Sequence, residues 1–197
     1  MKLITVQRQL EEANLKIFTP LEFQRLFGVK PNTSQKFLER NARQGYFVRL
    51  KRGLYAFKEL TPFPFQVANQ LYYPSYISFE SALSFYQLIP ETVYSITSAT
   101  TKPSREFHAL GQHFTYTTLK KSAYQGYEPR QQNEATIIIA EPEKALADML
   151  YLVNLGKRRL PGRVDLKKIN QAKLKQFLKV FQRAGLKKTF DDFQKVN

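Results

Sequence analysis

Between Phe18 and Gly28 the chain reads FTPLEFQRLFG, and these letters fix where a helix begins, how it is entered and where it stops. Thr19 can cap, Pro20 suits the first helical position, and Glu22 stands three residues after the cap, which together make a capping box. Phe18 and Phe23 occupy the positions of a hydrophobic staple closing over that entry. The helix continues through Leu26 and Phe27 and stops at Gly28, a natural C-terminal glycine. Upstream, Leu3, Val6, Leu10 and Ala13 are spaced for a short helix over residues 3–13. Downstream of the turn GVKPN, a third helix is expected from Asn32 to Gln44, ending at Gly45. It would bury Phe37 and Leu38, with the small Ser34 one turn earlier.

The next stretch, RQGYFVRLKRGLYAFK, carries two strand-like pieces, YFVRL and LYAF, around Lys51, Arg52 and Gly53. Alternation puts Val48 and Leu50 on one face and Arg49 and Lys51 on the other. A glycine at the end of a tight loop supplies the positive φ that such a turn often needs. Helix, turn, helix and basic hairpin is the order of a winged helix-turn-helix, whose third helix enters the major groove N-terminal end first. Asn32, Thr33, Gln35 and Lys36 would then read base edges, while Lys30, Arg40, Arg43, Arg49, Lys51 and Arg52 would anchor phosphates or the minor groove. The same fold also serves protein contact, which a patch of alternating charge would favour. The exposed residues expected on this helix and wing are nearly all basic, apart from Glu39.

Charge strengthens the DNA reading. The net charge is +15, carried by 31 Lys/Arg against 16 Asp/Glu. Residues 1–61 hold twelve basic against five acidic residues, residues 62–156 six against eight, and residues 157–197 thirteen against three. Two basic ends around a near-neutral middle suggest two polyanion-facing surfaces, or one surface assembled from both ends. Such charge attracts nucleic acid through counterion release without choosing a sequence. The chain has no cysteine, which excludes disulfides, thiolate chemistry and cysteine-ligated zinc. No apolar run reaches the roughly eighteen residues of a membrane span. The apolar start is soon broken by Arg8, Glu11 and Glu12, against a signal peptide. A cytoplasmic location with no membrane partner is expected.

TPFPF at 61–65 reads as a junction, giving a DNA-binding domain over 1–60 and a second domain over 61–197. In the latter, YYPSYISFESALSFYQLIPE suggests a short strand and a helix over 79–88. VYSITSAT, HFTYTTL and EATIIIAE read as strands, the β-branched ATIII as a buried central one. In EPEKALADMLYLVNL, Ala145, Leu146, Met149, Leu150 and Val153 form the apolar stripe of a strong helix. The overall expectation is an α+β chain: a winged helix-turn-helix, a small α/β domain with a mixed sheet, and a basic C-terminal helix. That last helix would bury Leu174, Phe177, Leu178 and Phe181 and end before Gly185. Lys175, Lys179 and Arg183 form a row on its far side, either a solvated face or a second polyanion contact.

A search for chemistry points away from an enzyme. His108 and His113 show no metal-binding spacing and are read as surface or packing residues, with no metal and no cofactor expected. Glu141, Glu143 and Asp148 are the densest carboxylate group, but acids at a helix N-terminus are favoured by the dipole alone. In TSATTKPSR, the hydroxyls with Lys102 and Arg105 can bind an anion; a plain strand edge and turn would give the same letters.

LFGVKPNTSQKFLERNARQGYFVRLKRGLYAF resembles the N-terminal winged helix of AbiEi-type antitoxins and related bacterial regulators. Gly28, Val29 and Thr33, then Gly45, Arg49, Arg52, Gly53 and Tyr55, carry the likeness. Asn41 departs from it, standing where such helices present an apolar core residue. YISFESALSFYQLIPE, YSITSATTKPSREF and IAEPEKALADMLYL look like the C-terminal domain of the same family, so the resemblance spans roughly residues 10 to 155. It implies a transcriptional repressor acting on double-stranded DNA upstream of its own gene. It also implies neutralisation of a nucleotidyltransferase-like toxin in a type IV toxin–antitoxin pair. A stand-alone regulator or a protein-interaction module without a toxin is the alternative.

Overall fold

The computed structural model describes residues 1–196. Helix α1 (Leu3–Glu12) buries Val6 and Leu10. A two-residue strand, β1 (Ile17–Phe18), leads into α2 (Pro20–Phe27). Both halves of the capping box form: Glu22 N donates to Thr19 Oγ1 at 3.3 Å and Thr19 N to Glu22 Oε2 at 2.7 Å. Phe18 and Phe23 meet with ring centroids 5.6 Å apart, and Gly28 closes the helix at φ 62°. Helix α3 (Pro31–Arg43) and the strands β2 (Phe47–Lys51) and β3 (Leu54–Phe57) follow. The small sheet runs β1-β3-β2, antiparallel throughout. Its core is aromatic: Phe18, Phe23, Phe37, Phe47, Tyr55 and Phe57 pack with Val6, Leu10 and Leu38. Asn41 lies in that region without an orphaned amide, because its Nδ2 donates to Phe37 O at 2.7 Å. This back-bond to the preceding turn is what makes a buried asparagine tolerable in a helix.

The remainder is built on a six-stranded mixed sheet ordered β6-β7-β5-β4-β9-β8. Its strands are β4 (Ser75–Ile77), β5 (Ser95–Thr100), β6 (Arg105–Ala109), β7 (Gln112–Thr118), β8 (Tyr127–Gln132) and β9 (Ala135–Ala140). The pairs β4/β9 and β5/β7 are parallel; the others are antiparallel. The isoleucine-rich β9 lies inside the sheet, as its continuous apolar run requires. Helices α4 (Pro64–Leu71) and α5 (Phe79–Phe85) precede β5, and α6 (Pro142–Asn154) follows β9. Every residue of α6 from Glu143 to Leu152 is buried. A helix hidden all round belongs at the centre of a layered core, and α5, α7 (Gln171–Val180) and α8 (Leu186–Val196) pack on it.

Several elements differ from the sequence expectation. The proline-marked junction runs directly into α4, since Pro64 at the first helical turn starts a helix instead of breaking one. The helix expected over 79–88 ends at Phe85. The single basic C-terminal helix is a pair, because Leu186, Phe190 and Phe193 bury a second apolar stripe past Gly185. The two halves of the chain are in close contact: Ile17, Leu50, Leu54 and Ala56 of the small sheet belong to the larger core. The chain is therefore α+β with a mixed sheet, and among its described residues no helix is long and apolar enough to cross a membrane.

Candidate nucleic-acid interface

The buried face of α3 is set by Ser34, Phe37, Leu38 and Asn41. The 3.6-residue period then forces Asn32, Thr33, Gln35, Lys36, Arg40 and Arg43 outward, and all six are exposed. Lys30, the N-cap position of α3, is exposed as well. Lys36, Glu39, Arg40, Arg43 and Gln44 line a shallow groove of ≈ 430 Å³. Glu39 does not neutralise it through an ion pair; it accepts a 3.0 Å hydrogen bond from Gln35 Nε2. The Arg40 guanidinium lies 5.6 Å from the Phe37 ring centroid, which holds its stem along the helix.

In the β2–β3 hairpin, Arg49 faces Tyr55 in register and Lys51 faces Leu54. Gly53 closes the turn at φ 76°. Arg49 and Arg52 are exposed. Among the described residues, Lys30, Lys36, Arg40, Arg43, Arg49 and Arg52 have no carboxylate within salt-bridge distance. Six unneutralised cations on one helix and the adjoining hairpin can hold a polyanion.

Lys51 departs from the expectation. Its Nζ donates to Leu71 O at 2.7 Å and Gln70 O at 3.2 Å, closing the C-terminus of α4. The last carbonyls of a helix lack intrahelical donors, and an ammonium there meets both their hydrogen-bond need and the negative end of the dipole. Lys51 thus ties the hairpin to the end of α4 instead of standing free for phosphate. Its pKa is lowered, first by burial and then by the nearby charges of Lys102 and Arg105. These two residues, from the polar run after β5, are exposed and rest on aromatic faces: Lys102 on Tyr72, Arg105 on Phe107. Sequence reasoning had the letters but not the pairing that brings them beside Lys51.

The other polar groups sort differently. Asp148, wholly buried, accepts from Tyr76 OH at 2.9 Å, from Ser78 Oγ at 2.8 Å and from Lys144 Nζ. Burial raises its pKa against the opposing pull of Lys144 and its other donors. All four side chains are buried and the cluster joins α6 to β4, so it is a strut in the core. Glu143 accepts from Asn170 N at 3.0 Å, and Glu141 pairs with Lys173, fastening the start of α7 to the start of α6. On the outer hairpin β6–β7, His108 and His113 stand opposite each other in register with their rings stacked. In the α7–α8 pair, Lys175 and Lys179 are exposed, while Arg183 Nε donates to Asn154 Oδ1. Lys175, Lys179 and Lys187 border a groove floored by Leu178, Leu186 and Phe190. No protein-family model matches this chain, and no curated protein matches it.

Proposed function

We propose that the chain is a sequence-selective DNA-binding repressor whose first sixty residues form a winged helix-turn-helix, with α3 as recognition helix and β2–β3 as wing. The observation that carries the reading is the set of six exposed cations without carboxylate partners on α3 and the hairpin. Asn32, Thr33, Gln35 and Lys36 read base edges; Lys30, Arg40, Arg43, Arg49 and Arg52 hold phosphates. Lys51 sets the hairpin's orientation in this scheme. The resemblance to AbiEi antitoxins extends the reading to cytoplasmic autoregulation and a nucleotidyltransferase-like toxin as functional partner, with no enzymatic activity of its own. A second reading rests on the basic, apolar-floored α7–α8 groove: a module that docks an acidic protein.

The deciding experiment is fluorescence-anisotropy binding to the duplex upstream of the gene and to a scrambled duplex, at two salt concentrations. The repressor reading expects selectivity that survives the higher salt. Gln35→Ala should lower discrimination between the duplexes. Arg52→Ala should weaken both alike and reduce the slope of log K against log salt by about 1. Equal loss on both duplexes from both variants would remove α3 from the recognition role. Binding of purified toxin in the absence of DNA would favour the docking module.

A further inference from the structure

The chain has only two histidines, and the fold places them face to face. His108 on β6 and His113 on β7 are direct cross-strand partners around the Leu110–Gly111 turn. Their rings are 4.3 Å apart and within 6° of parallel. Glu106 lies two residues before His108, hence on the same face of β6. One ligand atom from each of Glu106, His108 and His113 falls within 4.8 Å of the other two.

We propose that Glu106, His108 and His113 form a binding site for a divalent transition-metal ion of the zinc type. Two imidazole nitrogens and one carboxylate oxygen are a donor set for zinc and its neighbours, whereas calcium and magnesium favour all-oxygen shells. Bonds of about 2.0–2.1 Å to a tetrahedral ion put ligand atoms roughly 3.4 Å apart. Because an imidazole lone pair lies in the ring plane, the stacked rings must first turn out of parallel, and the exposed His108 is the one free to swing until both nitrogens face one ion. His113 also has an orienting partner. Its Nδ1 lies 3.1 Å from Ser95 Oγ, on the adjacent strand, and its Nε2 lies 3.2 Å from Glu106 Oε2. With the carboxylate ionised, Nε2 carries the proton and Ser95 donates to Nδ1. When a metal takes Nε2, the proton moves to Nδ1 and the hydroxyl accepts it, because a hydroxyl serves either role. Three protein ligands leave one tetrahedral position for water or a further ligand. Thr115, the register partner of Glu106, has a buried hydroxyl without a hydrogen-bond partner on this hairpin.

The site is independent of DNA binding and is tested without it. Untagged full-length protein is titrated with zinc chloride by calorimetry, beside His108→Ala, His113→Ala and Ser95→Ala, with folding checked by circular dichroism. The expected result is one zinc per chain and at least a tenfold loss of affinity in either histidine variant. Ser95→Ala should weaken binding about tenfold while leaving the stoichiometry at one. Cobalt in place of zinc should give the intense visible bands of tetrahedral coordination. Absence of zinc binding by the parent, or equal binding by the folded His108→Ala/His113→Ala double variant, would overturn the assignment.

Discussion

At the scale of single residues, the chain's most demanding polar group is Asp148. Lys144 and Asp148 are four apart on α6, a spacing that on an exposed helix face makes a surface ion pair. The sheet and α7 cover both, so the pair is desolvated and its lone pairs must be filled by Tyr76 and Ser78. Removing one partner leaves a buried charge unmatched, whereas removing both can be nearly neutral. Lys144→Met should therefore destabilise the fold by about 3–5 kcal/mol, and Lys144→Met/Asp148→Leu should recover much of that loss. Urea denaturation of the two variants and the parent checks the order. Equal destabilisation by single and double variants would mean that packing volume, not charge, governs the site. The sign for pH follows from the raised Asp148 carboxyl. Between the unfolded-state value and the raised one, folding takes up a proton there, so this residue's contribution to stability declines as pH climbs through that window, above which the carboxylate is ionised in both states.

At the scale of elements, legibility tracked local chemistry. The start and stop of α2 were readable because a capping box and a C-terminal glycine are encoded within ten letters. The edge strand β8 was not, because YEPRQQ holds a proline and little apolar alternation; an edge position permits both. The strand β1 escaped notice because two residues carry no periodicity, and its existence depends on β3 alone. Helix α8 carries a legible stripe of Leu186, Phe190 and Phe193, but Gly185 before it reads as the end of a helix and not as a link between two. Glycines show the same limit. Gly53 and Gly126 have nearly the same φ, 76° and 73°, but a Cβ at Gly53 meets nothing within 4 Å. At Gly126 it would stand 2.5 Å from the Phe177 ring of α7. Gly53→Ala should cost about 1–2 kcal/mol, the left-handed penalty alone. Gly126→Ala adds an overpacking cost of roughly 1–3 kcal/mol and should loosen α7 from α6. Hydrogen exchange of the α7 amides separates the cases: faster in Gly126→Ala, unchanged in Gly53→Ala.

For the whole molecule, charge and connectivity meet at one point. The sequence disclosed two basic ends, and it could not disclose that the hairpin of the first is pinned to the body of the chain through Lys51. That contact joins β2 to α4 and sets Lys51 beside Lys102 and Arg105. No ion pair among the described residues offsets these three cations. Their mutual repulsion opposes folding of the free protein and is screened by salt. A phosphate backbone running from the β2–β3 turn towards the turn after β5 would relieve it. The variant Lys102→Gln/Arg105→Gln should then raise Tm at low ionic strength, with the gain vanishing at high salt. Under the DNA-binding reading the same variant should lose affinity for operator and scrambled duplex equally, as expected of phosphate contacts. A lower Tm at low ionic strength would mean that the aromatic contacts of Lys102 with Tyr72 and of Arg105 with Phe107 outweigh the repulsion. An unchanged DNA affinity would confine the interface to α3 and the hairpin.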